Sequence, residues 1–305
     1  MDQIQKRIIE EVADLHEVPE GAFNFRVDGK SDGRRSTANI QIDSKADGSG
    51  IDIRIAPGTK NESVHIPVVL SLSGIKETVY NDFYVGEGAD VVIVAGCGIS
   101  NCGNQDSQHD GIHSFHIEKN ARVKYVEKHY GEGDGNGKRI LNPETVIEMG
   151  EGSYMEMEMV QIKGVDSTVR KSVARLQAGA ELIVHERLMT HGSQTAVSEY
   201  QVDLNGEGAS TNVVSRSVAR DRSKQTFISK IYGNAKASGH SECDSIIMDD
   251  ARINAIPEVA ANHPDAALIH EAAIGKIAGE QITKLMTLGL SREEAEEQIV
   301  NGFLK

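Results

Sequence analysis

The sequence contains no tryptophan, and phenylalanine and tyrosine bring its aromatic content to only 4%. A core with so few rings has to be assembled from Val, Ile, Leu, Ala and Met, which suits regularly stacked layers of short side chains. Cysteine is almost absent as well: Cys97, Cys102 and Cys243 are the only three in 305 residues. An odd, sparse set excludes a disulfide framework and predicts reduced thiols, as in the cytoplasm. Basic residues are the minority, with 32 Lys and Arg against 46 Asp and Glu, for a formal charge of −14. That balance argues against nucleic acid as a partner, because phosphate contacts need a basic stripe. No run of 18 apolar residues occurs and the opening MDQIQKRIIEEV is charged throughout, so neither a membrane span nor a secretory signal is expected.

Glycine, by contrast, is plentiful, with 30 residues against 6 prolines. Residues 2–16 predict a short amphipathic helix, with Ile4, Ile8, Ile9, Val12 and Leu15 on one face and Pro19 and Gly21 beyond its end. Helical periodicity then disappears for roughly 240 residues. In its place come short alternating stretches such as NIQIDS, GIDIRIA, VHIPVVLSLS and DVVIVAG, each closed by a turn-forming residue. A turn carrying a small residue precedes a strand at Ala89, Ala121, Ser153, Ala180, Ala209 and Ala235, with gaps of 32, 32, 27, 29 and 26 residues. A loose period of this size, carried by a turn and a strand, predicts a parallel solenoid; a β-sandwich with similar turns is the competing architecture. After about residue 265, IAGEQITKLMTLG and SREEAEEQIVNGF predict two helices, the second with Ser291 and Glu294 as a capping box. The expected organisation is a lead-in over 1–35, a β core over 36–265 and a helical segment over 266–305, which could cap the solenoid or dock a partner.

Several residues could carry chemistry. Cys97 and Cys102 lie in GCGISNCGNQDSQHDGIHSFH with His109, His113 and His116, a set able to ligate zinc or iron, although its spacing matches no common finger. Cys243 lies in GHSECDS, between Glu242 and Asp244, which disfavour a thiolate unless a cation neutralises it. His263, His270 and Glu271 follow in HPDAALIHEAAIG. In the repeat frame Cys97, His129 and Cys243 each fall eight residues past their small residue, so Cys97 and His129 are expected to meet on adjacent coils. Cys97 and Cys243 would share that column five coils apart, at least roughly 24 Å, too far to hold one metal. Glu271 is 28 residues past Cys243 and so is expected beside it. GEGDGNGK at 131–138 lacks the terminal hydroxyl of a phosphate loop and predicts a glycine-rich turn. The alternating Met155, Met157 and Met159 predict a strand with methionine on one face, with a methionine metal box as the sharper reading.

Taken in order, PEGAFNFR, VYNDFYVGEGADVVIVAGCGI, VKYVEKHYGEGDGNGKRILNP, SRSVARDRSKQTFISKI, SECDSIIMDD, LIHEAAIGKI and EEAEEQIVNGF resemble the SufB/SufD family of iron–sulfur cluster assembly proteins, in particular its short SufB-like scaffolds. The resemblance implies a right-handed parallel β-helix with a C-terminal helical segment. It also implies a non-catalytic scaffold that holds a transient iron–sulfur cluster and works with a SufC-type ABC ATPase, a sulfur donor and apo-acceptor proteins. Its essential Cys corresponds to Cys243 and its essential Glu to Glu271, while a His important in the SufD branch aligns with His270. A chain carrying all three could build a site across a homodimer interface. Cys97, Cys102, His109, His113 and His129 are secondary candidates. Two departures from the longer members, a short C-terminal segment and no N-terminal extension, leave flavin binding and heterodimerisation open, and no motif here supports a flavin. The alternatives are a polysaccharide-cleaving enzyme on a β-helix, disfavoured by the missing tryptophan, and a zinc-dependent hydrolase using Cys97, Cys102, His109 and His113.

Overall fold

The computed structural model describes residues 1–305 and is a parallel β-solenoid of about eight turns. Helix α1 (Gln3–Ala13) opens the chain, followed by β1 (Ala22–Val27), β2 (Lys30–Arg35), β3 (Ile40–Ser44), β4 (Gly50–Ile55), β5 (Lys60–His65) and β6 (Val68–Leu70). The coils continue through β7 (Lys76–Val85), β8 (Asp90–Ser100), β9 (Ser107–Ile117), β10 (Arg122–Glu132), β11 (Arg139–Leu141), β12 (Glu144–Met149) and β13 (Tyr154–Lys163). They end with β14 (Ser167–Leu176), β15 (Glu181–Thr190), β16 (Thr195–Leu204), β17 (Ser210–Ala219), β18 (Lys224–Gly233), β19 (Ser238–Ile247), β20 (Arg252–Ala261) and β21 (Ala267–Gly275). Helices α2 (Gly279–Thr287) and α3 (Arg292–Phe303) close the chain.

The strands form two sheets and from β7 onward alternate between them, except that β11 and β12 lie in the same one. One runs β2-β1-β5-β8-β10-β13-β15-β17-β19-β21 and the other β20-β18-β16-β14-β11-β9-β7-β4-β3. All pairings are parallel except the hairpin-like pairs β1/β2 and β3/β4 at the N-terminal end. There the polar strand β2 (KSDGRR) makes a poor template for further pairing. The opposite end carries no such guard: β20 and β21 each pair on one side only.

Period-two burial explains the sequence pattern. In β13, Met155, Met157 and Met159 are fully buried in the aliphatic core while Glu156 and Glu158 face outward, so these methionines are packing residues. At each coil corner a small residue fits where backbones stack closely. Ala89, Ala121, Ser153, Ala180, Ala209 and Ala237 are all buried, and the carbonyl of each accepts from the first strand amide of the next coil, as in Arg122 N–H to Ala89 and Ser238 N–H to Ala209. The last member is Ala237, not Ala235, which shifts the frame by two residues at that coil.

Helix α1 is shorter than the 2–16 span predicted, because Asp14 turns left-handed at φ 52° and ends it. Its Ile8 and Val12 lie on the outer face of β8, directly over Gly96 and Gly98. A Cβ on Gly98 would sit 2.1 Å from Ile8 Cγ2, and one on Gly96 2.2 Å from the Val12 carbonyl oxygen. These glycines therefore belong to a strand under a helix, which carries the strand expected over DVVIVAG on through Cys97. Gly98→Val is expected to lift α1 and to cost about 1–3 kcal/mol. Limited proteolysis checks this, since cleavage within the first twenty residues should accelerate while the remaining chain stays resistant.

At the other end α3 buries Val300 and Leu304 against Val218 on the outside of β17. Its Ser291/Glu294 capping box is formed as predicted, and Gly289 at φ 101° makes the turn from α2. The solenoid itself extends to Gly275 through β21, and the helices begin only at Gly279.

Candidate functional site

The inward-facing residues of the solenoid form rows across neighbouring strands. One row reads Ala95, Glu127, Met159, Glu186, Ser215, Cys243 and Ala272. The row beside it reads Cys97, His129, Gln161, Leu188, Ser217 and Ser245. Cys97 and His129 thus meet as register partners, as the repeat spacing predicted. Cys243 falls one inward position off the Cys97 row because its coil starts from Ala237. The five strand steps between the two cysteines put them roughly 24 Å apart.

Charge inside a β-solenoid has to be paired, and here it is. Arg170 on β14 is 3% exposed and donates to Glu127, while its Nε lies 3.7 Å from Glu186. Glu186 also accepts from Ser198 at 2.6 Å, Ser215 at 2.7 Å and Tyr200 at 3.1 Å. Burial alone would raise the Glu127 pKa, but Arg170 and the adjacent His129, whose Nε2 is 3.3 Å away, hold it far below the usual carboxylate range. The sequence reading missed Arg170, Glu127 and Glu186. The signal was present, since each occupies the apolar phase of an alternating strand, as in Val123, Tyr125 and Glu127.

The five residues grouped around Cys97 separate. Cys97, His109 and His113 face inward, whereas Cys102 is exposed on the following turn and His116 stacks on Tyr84 outside. His109 Nδ1 donates to Glu77 at 2.9 Å, and His113 Nδ1 shares a hydrogen bond with Tyr125 Oη at 3.0 Å. Glu77, which also accepts from Arg26, is lowered to about 2 despite its burial. Burial pushes the Cys97 thiol well up, with Glu127 and Glu77 adding to the effect. No three His, Cys, Asp or Glu residues are grouped so as to hold a metal ion within one chain.

At the C-terminal end of the solenoid, Cys243 is 1% exposed, with Ser245 Oγ 3.7 Å from its sulfur and Ser215 beside it in register. Burial first, then Glu186 and Asp244, raise its pKa, so it rests as a thiol. The neighbour of Cys243 on β21 is Ala272 rather than Glu271, which pairs with Glu242. That one-residue difference puts Glu271 on the outer face, 67% exposed, with its carboxylate 3.9 Å from His240 Nε2. His270 pairs with Ser241 and shares the inner face with Cys243. Its Nδ1 is buried without any hydrogen-bond partner, and desolvation lowers its pKa.

Residues 80–303 match the family model described as SUF system FeS cluster assembly, SufBD core domain. The chain belongs to the SufB/SufD family. An iron–sulfur cluster assembly SufBD family protein of Archaeoglobus fulgidus is 30% identical over 262 residues, 85% of this chain and 69% of the relative. One from Methanothermobacter thermautotrophicus strain Delta H is 27% identical over 260 residues, 84% of this chain and 62% of the relative. The iron–sulfur cluster assembly protein SufB of Bacillus subtilis is 36% identical over 100 residues, 32% of this chain and 22% of the relative. The chain therefore spans no more than about two thirds of the length of these SufB/SufD relatives. Membership ties it to iron–sulfur cluster assembly and the SUF system. No helix is long and apolar enough to cross a membrane.

Proposed function

We propose that this SufB/SufD chain is a non-catalytic scaffold that receives iron and sulfide, holds the nascent cluster and passes it to apo-acceptor proteins with the help of a SufC-type ABC ATPase. The observation that carries this reading is the placement of Cys243 and His270 on one inner face in the last two coils, beside strand edges that have no partner. Thiolate, imidazole and carboxylate together are less saturated with soft donors than four cysteines, so the cluster is held loosely enough to leave.

One chain offers too few ligands, and the same end of a second copy supplies the rest. The edges of β20 and β21 and the exposed side chains of Val259, Ile269 and Ile274 suit an end-to-end homodimer. Two copies bring two Cys243 thiols, two His270 rings and two Glu271 carboxylates toward one seam. Iron at that seam provides the positive charge that the raised Cys243 pKa requires for ionisation. Met286 and Leu288, exposed at the end of α2, are the apolar residues offered for docking the ATPase.

Anaerobic co-purification with the ATPase, followed by iron and sulfide analysis, tests the reading. Cys243→Ala is expected to abolish bound cluster and transfer while leaving the melting transition within a few degrees, because a small buried thiol is removed. Unchanged iron, sulfide and transfer in that variant would sink the proposal.

A further inference from the structure

The two free strand edges at the C-terminal end of the solenoid are not equivalent. Along β21 the odd-numbered residues direct their backbone groups at β19, as Ala267 N–H does to the Ala237 carbonyl. Leu268, His270, Ala272 and Ile274 therefore turn theirs to the free edge. Along β20 the even-numbered residues bond β18, as Arg252 N–H does to Ser223, and the free edge belongs to Ile253, Ala255, Pro257, Val259 and Ala261. Pro257 thus places a ring where the middle of that edge would offer a donor, and proline within a sheet belongs on a strand that stays at an edge. The β21 edge has no such interruption. Chain order adds a second difference, because β21 lies half a coil, roughly 2.4 Å, farther along the solenoid axis than β20. Across the interior Ser241 and Ser229 hydrogen-bond at 2.7 Å, and His270 and Pro257 continue those two rows by one strand each, so Pro257 stands opposite His270.

We propose that two copies of the chain join through β21 alone, antiparallel about Glu271, and that a window one strand wide stays open between their β20 edges, over the His270 row. The inference rests on the homodimer reading above and fixes its geometry: both edges face the second copy, and only one pairs with it. With Glu271 on the two-fold axis, Leu268 pairs with the partner's Ile274 and His270 with the partner's Ala272, so every unpaired N–H and C=O group of the four edge residues is satisfied. A register two residues away in either direction leaves Leu268 or Ile274 unpaired. One strand spacing plus two half-coil offsets then separates the β20 edges by about 10 Å, twice the spacing within a sheet. Pairing β21 with the partner's β20 would close both sheets, but it would set a proline ring in the middle of each seam. The window gives small ions a path to the inner face that carries His270, with Pro257 and Val259 at its lip.

The test uses the intact chain without iron, so that failure of this geometry is separate from failure of the cluster role, which iron and sulfide report. Hydrogen exchange read by mass spectrometry, in concentrated and in dilute protein, should show concentration-dependent protection of residues 267–275 and none of residues 252–261. Ala272→Pro should weaken the dimer by about tenfold or more in sedimentation, whereas Ala255→Pro should change it less than about twofold. Both substitutions remove a donor that points away from the internal ladder. In a Cys102→Ser background, Glu271→Cys should form a disulfide across the axis and Ile269→Cys should not. The exchange measurement needs no substitution and decides the matter if Ala272→Pro fails to fold. Equal protection of both strands, equal weakening by the two proline variants, or a monomer at every concentration would overturn the assignment.

Discussion

Arg170→Ala is expected to destabilise the solenoid by about 3–5 kcal/mol. Arg170 is the only cation paired with both Glu127 and Glu186, which it joins from the opposite sheet across the interior. Removing it leaves buried Glu186 without a counter-charge and Glu127 with only His129 beside it, and also leaves a void where the guanidinium stood. The measurement is the urea midpoint of the variant against the parent chain, with attention to an unchanged slope. Combining Arg170→Met with Glu127→Gln and Glu186→Gln should recover much of the loss, because the penalty comes from the uncompensated charge rather than from the absence of a favourable pair. A single-variant loss below about 1 kcal/mol would mean that water reaches this cluster.

Stability is expected to fall as the pH drops from about 6.5 to about 4, and His113 is the main reason. Its ring is buried between Phe83 and Tyr125, and desolvation lowers its pKa to about 4 even though Glu127 works in the opposite direction. The unfolded chain takes up the proton near 6.5 while the folded chain resists, so the contribution is complete above 6.5 and gone at about 4. Integrated over that window it amounts to about 3 kcal/mol. His113→Gln should flatten the dependence of melting temperature on pH in this range, at some cost in stability at neutral pH. Equal slopes in parent and variant would assign the acid sensitivity elsewhere. Glu77, lowered to about 2 by His109 and Arg26, acts in a lower window, its contribution present above about 4.5 and lost only as the pH approaches 2.

Both effects arise at residues whose sequence context was visible but incompletely read. Alternation in VKYVEKHY and ELIVHERL shows that Glu127 and Glu186 take the apolar phase, so their burial could have been inferred. Their common partner could not, because Arg170 reaches them from the other sheet. The packing around Gly96, Cys97 and Gly98 was hidden for a similar reason. Only the helix lying over these glycines shows that closeness of packing is what excludes a side chain there. Of the possible metal ligands there, Cys102 is exposed and His116 stacks on Tyr84 outside, apart from the inward-facing Cys97, His109 and His113.

The sequence by itself determined the architecture, because a solenoid repeats a local rule. Each coil needs a small residue at its corner and aliphatic side chains at every second position, and both recur along the chain without reference to anything distant. It also determined the family, through ordered segments spread over most of the length, and the neighbourhood of Cys97 and His129. The tertiary structure decided the faces and the partners. A frame anchored at Ala237 rather than Ala235 moves Cys243 into the row of Glu186 and Ser215, and one further residue puts Glu271 outside while His270 stays within. Strand residues alternate sides, so an error of one position, invisible in a period that drifts between 26 and 32 residues, reverses what a side chain can touch.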